Sequence, residues 1–353
     1  MAVGDSGQDL RTPAARGQLP TRVHLRVPAA FDLDVTVRSH GWYDLAPWSY
    51  QAERRTLSRP LRLATGRVVL AEVAEAPGGL AVRLLATGRP SAAEAAEARA
   101  QLRECLALDD DLSPFHAIAA ELEGRRAAGD GRLPDLRWAL ARGAGRLLRS
   151  PTVWEDAVKT LLTTNCSWAL TRAMVARLCQ AAGEPGPDGA RAFPTPGALA
   201  RRGERFFREV VRAGYRAPFL RHLAHQVAAG RLDLEGLRGG ELAGPELRRR
   251  LLELEGFGPY AAEHLARLLG RHDFLALDSW TRDTLRRRRG LARRPTEAVA
   301  RRWFAPYGRH AGLAMWLEVT ADWFGPAPAW PSPRTAAAPA VPRGRRAGQE
   351  ESP

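Results

Sequence analysis

Pro245 to Thr284 reads PELRRRLLELEGFGPYAAEHLARLLGRHDFLALDSWTRDT, and the fold turns on how this stretch is read. Leu247, Leu251 and Leu254 fall at helical spacing behind Pro245, whose missing N–H costs nothing in a first helical turn. Ala262, Leu265, Ala266 and Leu269 repeat the spacing behind Pro259. The prediction is helix, hairpin, helix. Glu255-Gly256-Phe257-Gly258 forms the hairpin, and its two glycines suit positive φ and a backbone that approaches a ligand without Cβ atoms in the way.

A helix beginning at Pro259 presents unpaired N–H groups and the positive end of its dipole, which suits a phosphate. GFGPYA also fits a loose dinucleotide fingerprint, but that motif must follow a β-strand, and Leu247 to Leu254 is Leu/Arg/Glu-rich helix. The remaining alternative is a plain turn between helices.

Charge points to the kind of phosphate. The 353 residues carry a formal net charge of +14 and a pI of about 11.0, which favours nucleic acid or acidic surfaces as partners. The cations are almost all arginine; Lys159 is the single lysine. Cys105, Cys166 and Cys179 are too few and too scattered for a disulfide framework, so a reducing compartment is expected. No cysteine follows Cys179, which removes the four thiolates an iron–sulfur cluster needs after the hairpin. The eight histidines show no zinc spacing, and His222 with His225 reads as a helical pair. Asp109-Asp110-Asp111 reads as a solvated turn, not a metal site. No apolar run approaches the roughly 20 residues of a membrane span, and the N-terminus lacks the apolar core of a secretory signal.

In chain order, residues 1–20 are expected to be a disordered lead, 21–108 a β-rich domain, 109–325 a helical domain, and 326–353 a disordered Pro/Ala/Arg tail. Alternation at Val23, Leu25 and Val27, at Leu33, Val35 and Val37, and in Val68–Val73 and Leu80–Leu85 around Ala76-Pro-Gly-Gly79 predicts an antiparallel sheet with a hairpin. Trp42 and Tyr43 read as core or edge-strand aromatics. Helices are expected over Ser91–Leu108, from Ser113, over Ser150–Leu162, Ser167–Ala182, Glu204–Ala213 and Ala217–Ala229, and from Gly308 to Phe324. Asn165 then sits at the tip of a helix–helix junction. Gly214-Tyr215-Arg216 forms a second joint, with Tyr215 packed and Arg216 reaching a phosphate.

Leu254-x-Gly256-Phe257-Gly258-x-x-Ala261-Ala262 followed by Asp278 resembles the helix-hairpin-helix (HhH-GPD) DNA glycosylases with their trailing catalytic aspartate. Pro151 to Asn165 and Ala213-Gly-Tyr-Arg-Ala217 are similar, in the same order, to segments of the 3-methyladenine and 8-oxoguanine branches. The resemblance implies a mainly α fold with an N-terminal antiparallel β domain, acting as a monomer on double-stranded DNA that contains damaged bases, on the chromosome in the cytoplasm. It implies hydrolysis of the N-glycosidic bond of a flipped base, with Asp278 stabilising positive charge on the sugar. Asp278 also stands where a helix cap would, and N–H bonds there favour a charged carboxylate.

Further roles follow from the same likeness. Asn165 fills the space a flipped nucleotide leaves, while Gly256, Phe257, Gly258, Arg216, Arg286 and Arg287 contact DNA. Tyr260 stands where the strand-cutting members place a lysine nucleophile, so no Schiff-base lyase step is expected. Lys159, the one other candidate, reads as solvated or phosphate-facing. Tyr260, Trp168 and Trp280 offer electron-rich faces to an alkylated purine, with Met315 at the pocket. Met315 and Val319 replace the polar and stacking residues of 8-oxoguanine readers, which argues against that substrate. No cofactor is implied, and a monovalent cation at the hairpin is compatible with the reading. The rival functions are a catalytically weak DNA-binding protein of the same fold and an 8-oxoguanine-type enzyme.

Overall fold

The computed structural model describes residues 20–239 and 242–325; the expected lead and tail lie outside the described residues. Five strands, β1 (Thr21–Leu25), β2 (Ser49–Gln51), β3 (Thr56–Arg62), β4 (Val68–Ala76) and β5 (Gly79–Leu85), form one antiparallel sheet in the order β1-β5-β4-β3-β2. The β4–β5 hairpin closes on Ala76↔Gly79, as the Pro-Gly-Gly turn predicts. One expected strand segment is helical instead. Leu33–Val37 is a short helix, α1, because Asp32 caps it by accepting from Val35 N at 3.0 Å, and Leu33 and Val37 then share its buried face. Over so few residues, apolar positions two apart also fit one helical turn. Gly41–Asp44, with Trp42 and Tyr43, is a 3-10 turn.

The rest is helical. Ala92–Cys105 (α2) starts on a capping box between Ser91 and Glu94, and Ser113–Ala127 (α3) starts with Pro114 in its first turn. Then come α4 (Arg137–Ala141), α5 (Val153–Thr163), α6 (Trp168–Ala182), α7 (Pro196–Ala200), α8 (Ala217–Ala228), α9 (Gly244–Leu252), α10 (Pro259–Leu268), α11 (Ser279–Arg288), α12 (Glu297–Phe304) and α13 (Ala311–Thr320). The helix expected over Glu204–Ala213 is a π-type turn at Phe206–Val210. No helix among the described residues is long and apolar enough to cross a membrane.

Two buried clusters organise these elements. The larger joins the sheet and α2 to α5, α6, α8, α9 and α10, and the second holds α3, α4, α11, α12 and α13. Trp316 of α13 packs against both and donates from Nε1 to the Ser39 carbonyl at 2.8 Å. Buried charge ties the sheet to α5. Arg59 of β3 meets Glu155 at 2.9 Å, and Lys159 meets the same carboxylate at 2.7 Å. Lys159 is fully buried, so the expectation of a solvated or phosphate-facing lysine is corrected: its partner comes from the helix turn before it and its charge is spent inside. Burial pushes the Glu155 carboxyl up, but Arg59 and Lys159 outweigh it and hold the group below the usual range.

Candidate active site

The hairpin glycines differ from each other. Gly256 has φ 83°, and a Cβ there would stand 2.7 Å from Phe219 Cδ2 and 2.9 Å from Leu161 Cδ1. Gly258 has φ −89° and caps α10 in extended backbone, with nothing within 4 Å of a Cβ. The expectation of two strained glycines holds for the first alone; the second leaves open space over the helix start. No side chain caps that start, so the backbone N–H groups of its first turn keep their anion-binding character. Phe257, expected at the DNA, is instead buried in the core cluster and anchors the hairpin.

Asp278 is the N-cap of α11. Its Oδ1 accepts from Thr281 N at 2.7 Å and Thr281 Oγ1 at 2.8 Å, while Asp278 N donates to Thr281 Oγ1 at 2.8 Å. Among the described residues no donor reaches Oδ2. One carboxylate oxygen is thus fixed and the other is open to a substrate. Burial, and next the charge of Asp278, push the Tyr260 phenol up to about 12, so at neutral pH the hydroxyl keeps its proton.

Tyr260, His264 and Arg267 are spaced i, i+4 and i+7 on α10 and form one stripe. The Tyr260 ring stacks on His264, centroids 5.9 Å apart. His264 in turn meets Trp42 at 5.1 Å and His40 at 6.0 Å, so the 3-10 turn beside the sheet completes the ring cluster. Trp42 is held by Asp156, to which its Nε1 donates at 2.7 Å. His40 Nε2 lies 2.6 Å from the Leu148 carbonyl. Burial drives His40 down to about 3 and His264 well below its ordinary value, so both imidazoles are neutral. Arg267 is buried, donates from Nη2 to the Leu275 carbonyl at 2.8 Å, and lies 4.8 Å from the Trp316 ring. Sequence reasoning missed His264 and Arg267. Their signal was a polar stripe on a helix whose other positions are apolar.

Trp280, 39% exposed, opens α11 beside Asp278 and clusters with Trp316 and Trp323 at 6.0 and 5.8 Å. Trp168, 38% exposed, donates to Asp44 at 2.8 Å and covers Gly41. Met315 and Val319 are fully buried in the second cluster, so Met315 is corrected from pocket to core.

The junction between α5 and α6 has its own support. Asn165 has φ 44°, and its Nδ2 donates to Tyr215 Oη at 3.2 Å. Tyr215 is 49% exposed, against the expectation of packing. Arg216 is buried and donates to the Thr164 carbonyl, to Thr164 Oγ1 at 3.2 Å and to the Ala213 carbonyl at 3.3 Å. The proposed phosphate contact of Arg216 is therefore replaced by a bracing one. Arg286 pairs with Asp283 at 3.1 Å, while Arg287 is exposed with one local bond to Thr284. Among the described residues no group of three His, Cys, Asp or Glu side chains is placed to hold a metal ion.

Comparison with known proteins agrees with this geometry. No curated protein sequence matches the chain. Among solved structures, a 3-methyladenine DNA glycosylase from Archaeoglobus fulgidus superposes with a TM-score of 0.65 at 20% identity, over 86% of this chain and 99% of its own. MBOgg1, in complex with a low affinity DNA ligand, gives 0.62 at 19% identity over 87% and 96%. An 8-oxoguanine glycosylase/lyase from Clostridium acetobutylicum, in complex with duplex DNA, gives 0.59 at 18% identity over 84% and 93%. These likenesses establish the fold. Residues 158–306, which hold the hairpin, Tyr260 and Asp278, match the family model of HhH-GPD superfamily base excision DNA repair proteins.

Proposed function

We propose that the protein is a monofunctional DNA glycosylase that hydrolyses the N-glycosidic bond of a damaged base flipped out of duplex DNA. The observation that carries this reading is Asp278: a carboxylate anchored through Oδ1 at a helix start, with Oδ2 open, beside a protonated Tyr260. As the base leaves, positive charge grows on the sugar, and a fixed carboxylate stabilises it without reorganising; Oδ2 also orients the attacking water. The start of α10 holds a phosphate, Asn165 fills the vacated space in the stack, and Arg287 adds a backbone contact. The exposed rings of Trp168 and Trp280, with Tyr260 beside Asp278, favour a purine, alkylated purines among them. The protein acts as a monomer on chromosomal DNA.

No lyase step follows, because the hairpin position offers a phenol and Lys159 is buried against Glu155. The test is a mass-spectrometric survey of bases released from alkylated, deaminated and oxidised duplexes, with borohydride trapping alongside. Free base with an intact strand and no covalent adduct is expected. Duplex binding without any base release would leave a DNA-binding protein of the same fold.

A further inference from the structure

Residues 269–278 carry the chain from the end of α10 to the cap of α11, and one peptide group in that crossing is gripped at both ends. The Leu275 carbonyl accepts from Arg267 Nη2 at 2.8 Å, and the N–H of the same peptide, on Ala276, donates to Glu263 Oε2 at 3.0 Å. Both side chains come from α10, four residues apart and so on one face of it, and both are buried. Glu263 is itself tied down, since its Oε1 accepts from Arg248 Nε of α9 at 2.9 Å. A cation on the carbonyl and a carboxylate on the N–H complement the peptide dipole at each end, which makes both bonds charge-assisted and fixes the plane they share.

The fixed plane adjoins a backbone anomaly. Ala276 has φ 46°, a left-handed conformation that a residue with a Cβ holds only where its surroundings over-determine it. The earlier half of the crossing is pinned from the other side: Gly312 N of α13 donates to the His272 carbonyl at 2.8 Å, and a Cβ on Gly312 would collide with the Phe274 carbonyl oxygen. Only Leu277 separates Ala276 from Asp278. The direction the chain takes at Ala276 therefore sets where the Asp278 carboxylate arrives.

We propose that Glu263 and Arg267 are positioning residues: by gripping the Leu275–Ala276 peptide they hold Ala276 left-handed and so aim the open oxygen of Asp278 at the sugar. The inference rests on the glycosylase reading and adds to it the part of the molecule that keeps the carboxylate still. The Thr281 bonds fix the carboxylate against its own helix start, and the clamp fixes that helix start against α10, whose first turn is the proposed phosphate site. Carboxylate and phosphate site are then registered to one helix, so a docked strand meets Asp278 at a constant offset.

The experiment compares wild type, Glu263→Ala and Glu263→Gln in two measurements. One is single-turnover base release at saturating protein, per folded molecule, from duplex methylated by dimethyl sulfate, deaminated by nitrous acid or oxidised by peroxide, whichever wild type turns over fastest. The other is affinity for duplex containing a tetrahydrofuran abasic analogue. Glu263→Ala lowers release at least about tenfold, with affinity for the abasic duplex within about twofold of wild type. Glu263→Gln, whose amide oxygen still accepts from the Ala276 N–H, keeps release within about threefold of wild type. A glutamate that serves only folding would leave release per folded molecule unchanged in Glu263→Ala, and that result overturns the proposal. Equal losses in the two variants would tie the effect to charge and not to the grip on the peptide, and overturn it likewise. Because Glu263→Ala empties a buried position and is at risk of misfolding, a further measurement uses wild type alone. Its Ala276 amide should exchange hydrogen at least about a hundredfold more slowly than an exposed amide. Exchange at the exposed rate would mean that the peptide is not gripped in solution, and the inference fails. Absence of base release by wild type from every duplex sinks the glycosylase reading and this inference with it, whereas wild-type release that Glu263→Ala matches sinks the inference alone.

Discussion

Two groups of buried polar side chains lie on either side of Trp42, and they are finished to different degrees. Under the sheet, Arg59, Glu155 and Lys159 meet within 2.9 Å, and Asp156 takes bonds from Trp42 Nε1 and Ser150 N and lies 3.4 Å from Arg238. Behind the hairpin, Arg267, His264 and His40 each keep a buried nitrogen without a partner. The first group closes the joint between sheet and helices; the second has capacity left over. Closed polar networks rigidify a fold, and an open one leaves room for ordered water or a ligand to complete it.

The comparison breaks most decisively at Asp278. Asp278→Asn is expected to lower base release by about 10³-fold or more, because the charge that stabilises the sugar is lost. Asparagine caps a helix as well as aspartate does, so thermal stability and duplex affinity should stay near wild type. Wild-type release from that variant would remove the carboxylate from the mechanism. Glu155→Gln should do the reverse. It strands two adjacent buried cations, Arg59 and Lys159, and should cost about 3 kcal/mol of folding stability by denaturant melts, with release per folded molecule unchanged. If it abolished release at unchanged stability, the two groups would have been assigned the wrong way round.

The hairpin sharpens the same contrast within three residues. Gly256→Ala meets positive φ and the Phe219 ring, and should lose about 2 kcal/mol in chemical denaturation. Gly258→Ala should melt like wild type, since its Cβ meets no protein atom within 4 Å, yet bind duplex more weakly if the proposed phosphate occupies that space. Unchanged duplex affinity in Gly258→Ala would reduce the hairpin to a turn.

A further expected effect is on pH dependence. His40 is held neutral with its pKa down at about 3, while the unfolded chain protonates it near 6.5. Below about pH 6.5 the unfolded state therefore binds more protons, and stability falls as the pH drops toward 3, by at most about 1.4 kcal/mol per unit for this one histidine. Above pH 6.5 the contribution is flat. His40→Gln should flatten the melting temperature between pH 6.5 and 4.5; a slope identical to wild type would mean the imidazole is not buried in solution.

Much of this was legible in the sequence, for local reasons. The hairpin, the cap at Asp278 and the junction at Asn165 are written in residues that act on their neighbours within a turn or two. What was illegible depended on distant partners. Nothing near Lys159 announces Arg59, which arrives from a strand a hundred residues earlier, so an isolated lysine on a helix looks solvated. Arg216 looks like a phosphate ligand until Thr164, fifty-two residues away, takes its hydrogens. Leu33, Val35 and Val37 alternate as a strand would, and only the Asp32 cap decides for helix. Nothing near His264 and Arg267 announces His40 and Trp316, which enclose them and come from the two ends of the chain.

The lone lysine has a consequence for how such a protein is regulated and handled. With Lys159 sealed inside, every cationic side chain on the described surface that stays charged at neutral pH is a guanidinium. Acetylation, the usual way to erase positive charge from a DNA-binding surface, finds no exposed lysine to act on, and amine-reactive labels find no surface side chain to tag. Its grip on an anionic polymer is set by salt concentration, and stays so up to alkalinity at which the protein itself would fail.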